Sequence, residues 1–137
     1  MRPEVGDILK PWRIAGVQAA DMHHWAQVLR DPNPIHLDPQ AVKARGLGDR
    51  VINQGPANLA YVITMLQSSL PGARLCSLDA RYVDNVFAGD CVEAGAKVTA
   101  VDAGDPLRIT CEFWLNVESR GPALQGSAVL QLHRVVL

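Results

Sequence analysis

One segment of this 137-residue chain is apolar on almost every side when it is drawn as a helix, and it restricts the fold more than any other feature. It runs from Ala57 to Ser69, and its apolar residues are Leu59, Ala60, Tyr61, Val62, Ile63, Met65 and Leu66. A helix without a polar face has to be covered by other elements. Gly55-Pro56 before it and Pro71-Gly72 after it are typical helix boundaries. We therefore predict one central, buried helix.

Four stretches after this helix alternate apolar and polar residues with a period of two, as half-buried strands do. The apolar positions are Cys76, Leu78, Ala80 and Tyr82; Val92, Ala94, Ala96, Val98 and Ala100; Leu107, Ile109, Cys111, Phe113, Leu115 and Val117; and Leu124, Ala128, Leu130 and Leu132. Short connections at residues 103–106 and 120–122 favour antiparallel pairing of the last three strands. An α+β fold follows, either with the sheet curled around the helix or with helices on one face of a flatter sheet.

The chain before the central helix is less regular. Residues 8–14 could form a first strand, although Pro11 favours an edge position or an interruption. Apolar residues at helical spacing predict an amphipathic helix from Gln18 to Leu29. The next stretch, from Asp31 to Gly55, contains three prolines and three glycines, with at most a short helix after Pro39. Irregular stretches of that length in compact domains are usually functional.

Composition excludes several classes of function. Thirteen Lys and Arg residues against fourteen Asp and Glu residues give a net charge of −1, so we expect neither nucleic acid nor a membrane surface as a partner. No stretch approaches the roughly 20 apolar residues of a membrane span. We expect one domain over residues 1–137, in the cytoplasm.

Cys76, Cys91 and Cys111 include no C-x-x-C pair, which predicts reduced, buried thiols.

A carboxylate and an imidazole lie close together in the stretch Arg30-Asp31-Pro32-Asn33-Pro34-Ile35-His36-Leu37-Asp38-Pro39. Its prolines restrict the backbone, so Asp31 and His36 are held in one defined relation. Such a pair can hold one water molecule, with one group accepting its proton while the other handles the proton at a substrate carbon. An Asx-type turn that ends the preceding helix, with His36 as an ordinary loop residue, explains the same spacing.

The pattern Asp-x-Asn-Pro-x-His, followed by a glycine that opens a buried helix, resembles the signature of MaoC-type (R)-specific enoyl-CoA hydratases. The resemblance continues through Val5-Gly6-Asp7 and Val86-Phe87-Ala88-Gly89-Asp90 and covers nearly the whole chain. It implies a hot-dog fold, in which a curved antiparallel sheet wraps around one long central helix. It also implies reversible addition of water to a trans-2-enoyl thioester, which gives an (R)-3-hydroxyacyl product, with Asp31 and His36 as the catalytic pair.

The same resemblance implies where the substrate carbonyl binds. In that family the thioester carbonyl lies at the amino end of the buried helix, where unpaired N–H groups and the helix dipole stabilise enolate-like charge. Here the donor would be the Gly55 N–H, helped by Ala57, because Pro56 has no N–H. Coenzyme A or acyl carrier protein would be part of the substrate, so no separate cofactor and no metal are expected.

The chain departs from the family pattern at the start of this helix. Family members commonly have His-Gly there, whereas this chain has Asn53-Gln54-Gly55, and a small hydroxyl residue two turns on is replaced by Ile63. Either the pocket is adapted to a bulkier or unusual acyl group, or the activity is weakened. The expected substrate-binding residues are Asn33, Asn53, Gln54, Ala57, Asn58 and Tyr61.

Two other functions fit the sequence. A hot-dog thioesterase would share the fold and the carbonyl site but hydrolyse the acyl bond. A catalytically silent subunit would bind an acyl thioester beside an active hot-dog partner. A homodimer is the expected assembly, because hot-dog sheets pair edge to edge, and a hetero-oligomer with another hot-dog subunit is the alternative. Fatty, branched, polyketide and steroid acyl chains all fit the sequence.

Overall fold

The computed structural model describes residues 2–133. Its α-helices are α1 (Ala19–Leu29), α2 (Pro39–Ala44) and α3 (Gly55–Ser69), and a short 3-10 turn spans Pro34–His36. Its strands are β1 (Trp12–Ile14), β2 (Arg74–Tyr82), β3 (Val92–Asp102), β4 (Leu107–Val117) and β5 (Gly121–Leu132). In this part of the chain no helix has the length and apolar character needed to cross a membrane.

The five strands form one antiparallel sheet in the order β1-β3-β4-β5-β2. Helix α3 contacts β1, β3 and β4, and its residues Val62, Met65 and Leu66 are fully buried against the sheet. Every second residue of β4, from Leu107 to Val117, is buried as well. The residues between them lie on the other face of the sheet. The predicted α+β hot-dog fold is confirmed.

A β-bulge in β2 changes which of its residues face the core. The pairing of β2 with β5 shifts between Leu75 and Ser77, so Cys76 is an extra residue in the strand. An extra residue reverses the alternation on one side of the bulge. Leu75 is therefore half-buried, while Cys76 is exposed. A similar shift in β3 leaves Ala100 exposed, so the predicted inward orientation of Cys76 and Ala100 is wrong.

The three cysteines are free thiols, but only one of them is buried as predicted. Cys111 lies in β4 and has no exposed surface, whereas Cys91 is half-buried and Cys76 is exposed. Burial raises the pKa of the Cys111 thiol to about 11, because the thiolate would lose its hydration. The predicted burial of all three cysteines is therefore wrong for two of them.

The first strand is shorter than residues 8–14. Only Trp12–Ile14 pairs continuously with β3, and Ile8 forms an isolated bridge with Lys97. Pro11 lies between these two pairings and has no N–H to donate to the ladder. The interruption that Pro11 suggested is therefore present.

The irregular chain before α3 is held by backbone hydrogen bonds on two sides. Ile52 N–H donates to the Ile35 carbonyl at 2.9 Å, which joins it to the 3-10 turn. Asn53 N–H donates to the Val86 carbonyl at 2.7 Å, which joins it to the loop between β2 and β3. The amino end of α3 is thus fixed between the proline-rich turn and that loop.

Candidate active site

Asp31 is positioned by the way α1 ends. Arg30 adopts a left-handed conformation with φ of 51°, and Asp31 N–H donates to the Ala26 carbonyl at 3.0 Å. The carboxylate then folds back, because its Oδ1 accepts a hydrogen bond from Asn33 N–H at 3.1 Å. Asx turns of this kind are common after a helix end. Here the turn fixes Oδ1 and leaves Oδ2 directed toward His36.

His36 ends the 3-10 turn, which Asn33 caps by accepting a hydrogen bond from Ile35 N–H at 3.3 Å. The His36 side chain is 10% exposed, and its Nδ1 lies 2.6 Å from the Ile52 carbonyl oxygen. A carbonyl oxygen can only accept, so Nδ1 carries the proton in the neutral ring. Nε2 is then the unprotonated nitrogen, and it faces Oδ2 of Asp31 at 3.5 Å.

The Nε2 atom of His36 and the Oδ2 atom of Asp31 are both hydrogen-bond acceptors in these states. Two acceptors cannot bond to each other, whereas one water molecule can donate an O–H group to each. Their 3.5 Å separation allows a water oxygen to lie within ordinary hydrogen-bond distance of both. The arrangement is therefore suited to binding and deprotonating water. Within residues 2–133, no group of three His, Cys, Asp or Glu side chains could hold a metal ion.

The amino end of α3 leaves one backbone donor unpaired. Pro56 has no N–H, and the N–H groups of Ala57 and Asn58 donate to the Gln54 carbonyl at 3.0 and 3.2 Å. Gln54 does not cap the helix with its side chain, so Gly55 N–H has no partner in the described part of the chain. The Ala57 N–H, which was predicted to help Gly55, is already bonded in this structure, and its role toward a substrate stays a prediction.

Three of the predicted substrate-binding side chains form a small hydrogen-bond network around the start of α3. Asn53 Nδ2 donates to Asn58 Oδ1 at 2.8 Å and to the Tyr61 hydroxyl at 3.3 Å. The pKa of Tyr61 is raised, mainly by burial and to a lesser extent by the charge of Asp21. The hydrogen bond from Asn53 acts in the opposite direction but does not cancel the rise. Tyr61 also borders a cavity of about 260 Å³ lined by Trp25 and other residues of α1. The network lies between this cavity and the helix start.

Gln54 is structural in this arrangement. Its side chain is 1% exposed, and its Nε2 donates to the Met22 carbonyl at 2.8 Å, which joins α1 to the start of α3. Its Oε1 is buried without a hydrogen-bond partner among residues 2–133. The side chain therefore holds two helices together instead of facing an open pocket.

Sequence reasoning missed a charge cluster that supports the helix start from the other side. The guanidinium groups of Arg50 and Arg120 both lie over the Phe87 ring, each 5.2 Å from the ring centre. The buried Asp90 carboxylate accepts hydrogen bonds from Arg50 at 3.1 Å, from Arg120 at 2.8 Å and from Phe87 N–H at 2.8 Å. Arg50 and Arg120 are 40 and 30 residues from Asp90 in sequence, so no local pattern marks them as its partners. The cluster fixes the loop to which Asn53 is bonded.

The pKa of Asp90 makes this support dependent on pH. Burial raises that pKa, but hydrogen bonds from Arg120 and Phe87 N–H and the charges of Arg120 and Arg50 outweigh burial and lower it. A carboxyl with a lowered pKa stabilises the folded state above its unfolded pKa of about 3.9, and that contribution disappears as the pH falls through the folded value. We expect Asp90→Asn to lower the free energy of unfolding by about 2 kcal/mol at neutral pH.

Urea unfolding at about pH 7 and about pH 3 measures this effect, and the difference between variant and wild type should shrink in acid. Asp49→Asn is the matched control, because Asp49 is an exposed carboxylate. Equal stability of Asp90→Asn and wild type at neutral pH would show that the cluster contributes nothing to the fold.

Residues 6–112 match the family described as the MaoC-like domain, which is more than half of the chain. The chain belongs to the MaoC-like domain family. The resemblance inferred from the Asp31 to His36 motif is thereby confirmed. Among curated proteins, this MaoC-like chain is 28% identical over 87 residues to the mitochondrial 3-hydroxyacyl-[acyl-carrier-protein] dehydratase of Arabidopsis thaliana. The match covers 64% of the chain and 51% of that relative, so the chain spans about half of the relative's length.

Solved structures of similar proteins cover almost the whole MaoC-like chain. The (R)-hydratase from A. caviae involved in PHA biosynthesis superposes with a TM-score of 0.86 and 27% identity, over 95% of this chain and 97% of that one. A chain of the ChsH1-ChsH2 complex from Mycobacterium tuberculosis superposes with a TM-score of 0.83 and 21% identity. The match covers 96% of this chain and 100% of that one. The second likeness shows the fold alone. The chain is therefore similar in sequence and fold to hydratases and dehydratases.

Proposed function

We propose that this MaoC-like protein catalyses the reversible, (R)-specific hydration of a 2-enoyl thioester. The observation that carries the proposal is the pair of acceptors, Nε2 of His36 and Oδ2 of Asp31, 3.5 Å apart. His36 is bonded to Ile52, three residues before the unpaired Gly55 N–H. The A. caviae neighbour is an (R)-hydratase and the Arabidopsis relative is a 3-hydroxyacyl dehydratase. Hydration and dehydration are the two directions of one equilibrium, so both names support the same chemistry.

The chemistry begins with polarisation of the substrate carbonyl. Gly55 N–H donates to the thioester oxygen, and the positive end of the α3 dipole favours the negative charge that develops there. Polarisation withdraws electrons from the C2–C3 double bond, so C3 becomes open to attack by water. The missing side chain of Gly55 lets the thioester approach the amide closely.

Water held between Asp31 and His36 then attacks C3. A C3–O bond forms as the double bond opens to the enolate, and one acceptor takes a proton from the water. The acceptor then delivers that proton to C2, so the proton that reaches C2 is the one removed from the water. Oxygen and hydrogen therefore arrive from one side of the substrate, which makes the addition syn. In the reverse direction the same groups remove the C2 proton and protonate the departing hydroxide.

Loss of enoyl-thioester absorbance after mixing with trans-2-enoyl-CoAs of increasing bulk tests the proposal, with chiral analysis of the product. We expect conversion to the (R)-3-hydroxyacyl-CoA. Release of thiol from a saturated acyl-CoA would identify a thioesterase instead. Binding of enoyl-CoA without conversion, followed by turnover once another hot-dog subunit is added, would identify the silent subunit. Absence of conversion across the whole panel would overturn the proposed activity.

We also propose that the protein is a homodimer. The outer edge of β2 has no paired strand within residues 2–133, and open edges of this length favour pairing with another chain. The M. tuberculosis neighbour is a complex of two proteins, ChsH1 and ChsH2, so a mixed assembly is the alternative. Light scattering of the pure protein should give the mass of two chains, and the mass of one chain would contradict a homodimer.

A further inference from the structure

We propose that the hydroxyl of Tyr82 is a second hydrogen-bond donor to the thioester carbonyl, beside Gly55 N–H. The inference rests on the proposed function, because it assigns a further catalytic residue to the same reaction. An oxyanion site usually combines two or more donors. The start of α3 supplies only one amide, since Pro56 has no N–H and Ala57 N–H is bonded to the Gln54 carbonyl.

The Tyr82 ring lies directly against Gly55. An ideal Cβ built on Gly55 would be 3.3 Å from Cε1, 3.4 Å from Cζ and 3.6 Å from the hydroxyl oxygen of Tyr82. The Cα–Cβ bonds of a helix tilt toward its amino end, and the unpaired N–H groups point toward the same end. The Tyr82 hydroxyl and Gly55 N–H therefore border the same space at the start of α3.

The Tyr82 hydroxyl is available for a ligand. Tyr82 is 51% exposed, and its hydroxyl has no hydrogen-bond partner in the described part of the chain. The chain has one other tyrosine, Tyr61, whose hydroxyl accepts a hydrogen bond from Asn53 at 3.3 Å. Of the two phenols, Tyr82 is thus the one without a structural bond at its oxygen.

The backbone that carries the Tyr82 ring is held in place. Tyr82 is the last residue of β2, where it pairs with Leu124. It is two residues after the half-buried Ala80, so it lies on the same face of the strand. After it, Val83 N–H and Asp84 N–H both donate to the Ala123 carbonyl, at 2.9 and 3.2 Å. The ring is therefore presented to α3 by a paired strand end. A donor held in advance needs little rearrangement when charge develops, which is the condition for effective stabilisation.

Tyr82→Phe is the direct test, because it keeps the ring against Gly55 and removes only the hydroxyl. We expect kcat for enoyl-CoA hydration to fall on the order of 100-fold, which is typical of one lost oxyanion donor, with little change in KM. Ser77→Ala is the matched control, since it removes an exposed hydroxyl from the same strand, and it should keep wild-type kcat. Thermal unfolding of both variants should match that of the wild type.

A second measurement reads carbonyl polarisation without turnover. A chromophoric enoyl thioester, 4-dimethylaminocinnamoyl-CoA, should shift its absorption to longer wavelength on binding, and the shift should be smaller in Tyr82→Phe. Wild-type kcat and an unchanged shift in that variant would overturn the role of Tyr82 while leaving the hydratase proposal standing. An inactive wild type with a shift that depends on Tyr82 would overturn the proposed reaction and still support the carbonyl contact.

Discussion

Replacing His36 with alanine is expected to lower kcat for enoyl-thioester hydration by about 10³-fold, within the range of positioned general acid-base groups. Asp31→Asn is expected to have an effect of similar size for a different reason. The asparagine amide would keep the shape of the carboxylate but can donate a hydrogen bond to Nε2 of His36, which takes the place of the water. Steady-state kinetics with an enoyl-CoA measures both effects, and KM should change little, because neither side chain supplies the carbonyl donor.

The double variant is informative because the two groups act on one water molecule. Removing either should cost nearly as much as removing both, as for residues that work as a unit. His133→Ala is the control, since that imidazole is 73% exposed and pairs with Asp105 at 3.6 Å, at the far end of β5. Wild-type turnover in either single variant would remove that residue from the mechanism.

Gly126→Ala is expected to have the largest effect on stability, about 3 kcal/mol or more. Gly126 lies in β5, where it pairs with Ala80 of β2 on one side and Phe113 of β4 on the other. A Cβ atom there would overlap the Asp79 carbonyl oxygen and lie 2.6 Å from Cζ of Phe113. The carbonyl belongs to the backbone of the neighbouring strand, so it cannot move aside without breaking the ladder between β2 and β5.

Urea denaturation measures this cost as a lower midpoint of unfolding. Gly16→Ala is the matched control, because a Cβ there would meet its nearest non-neighbouring atom, Nε2 of Gln18, at 3.8 Å. The change in the control should stay within about 0.5 kcal/mol. An unchanged midpoint in Gly126→Ala would mean that the strands do not cross as closely as described.

Elements whose signal is local could be predicted from the sequence. Helix α3 was predictable because its apolar surface and its flanking Gly-Pro and Pro-Gly pairs all lie within one short segment. Strand β4 was predictable because each polar residue alternates with a buried one from Leu107 to Val117. The close approach of Asp31 and His36 followed from the prolines between them. In each case the residues that determine the structure are near neighbours in the chain.

Features that depend on distant residues could not be predicted in this way. The contacts of Asp90 with Arg50 and Arg120 join residues 30 to 40 positions apart, and nothing in their local sequence marks them as partners. The bulge at Cys76 is set by the pairing of β2 with β5, so a regular alternation gave the wrong face for that residue. The position of Tyr82 over Gly55 likewise arises only when the end of β2 meets the start of α3.

The hydrogen bond from His36 to the Ile52 carbonyl has a consequence for how this site tolerates change during evolution. The partner that selects the reactive ring nitrogen is a main-chain atom, so every amino acid at position 52 offers the same carbonyl. The side chain at position 52 therefore does not determine which imidazole nitrogen is basic. An insertion or deletion between residues 37 and 51 would instead move the carbonyl away from the imidazole, so the chemistry of His36 depends on the length of this stretch.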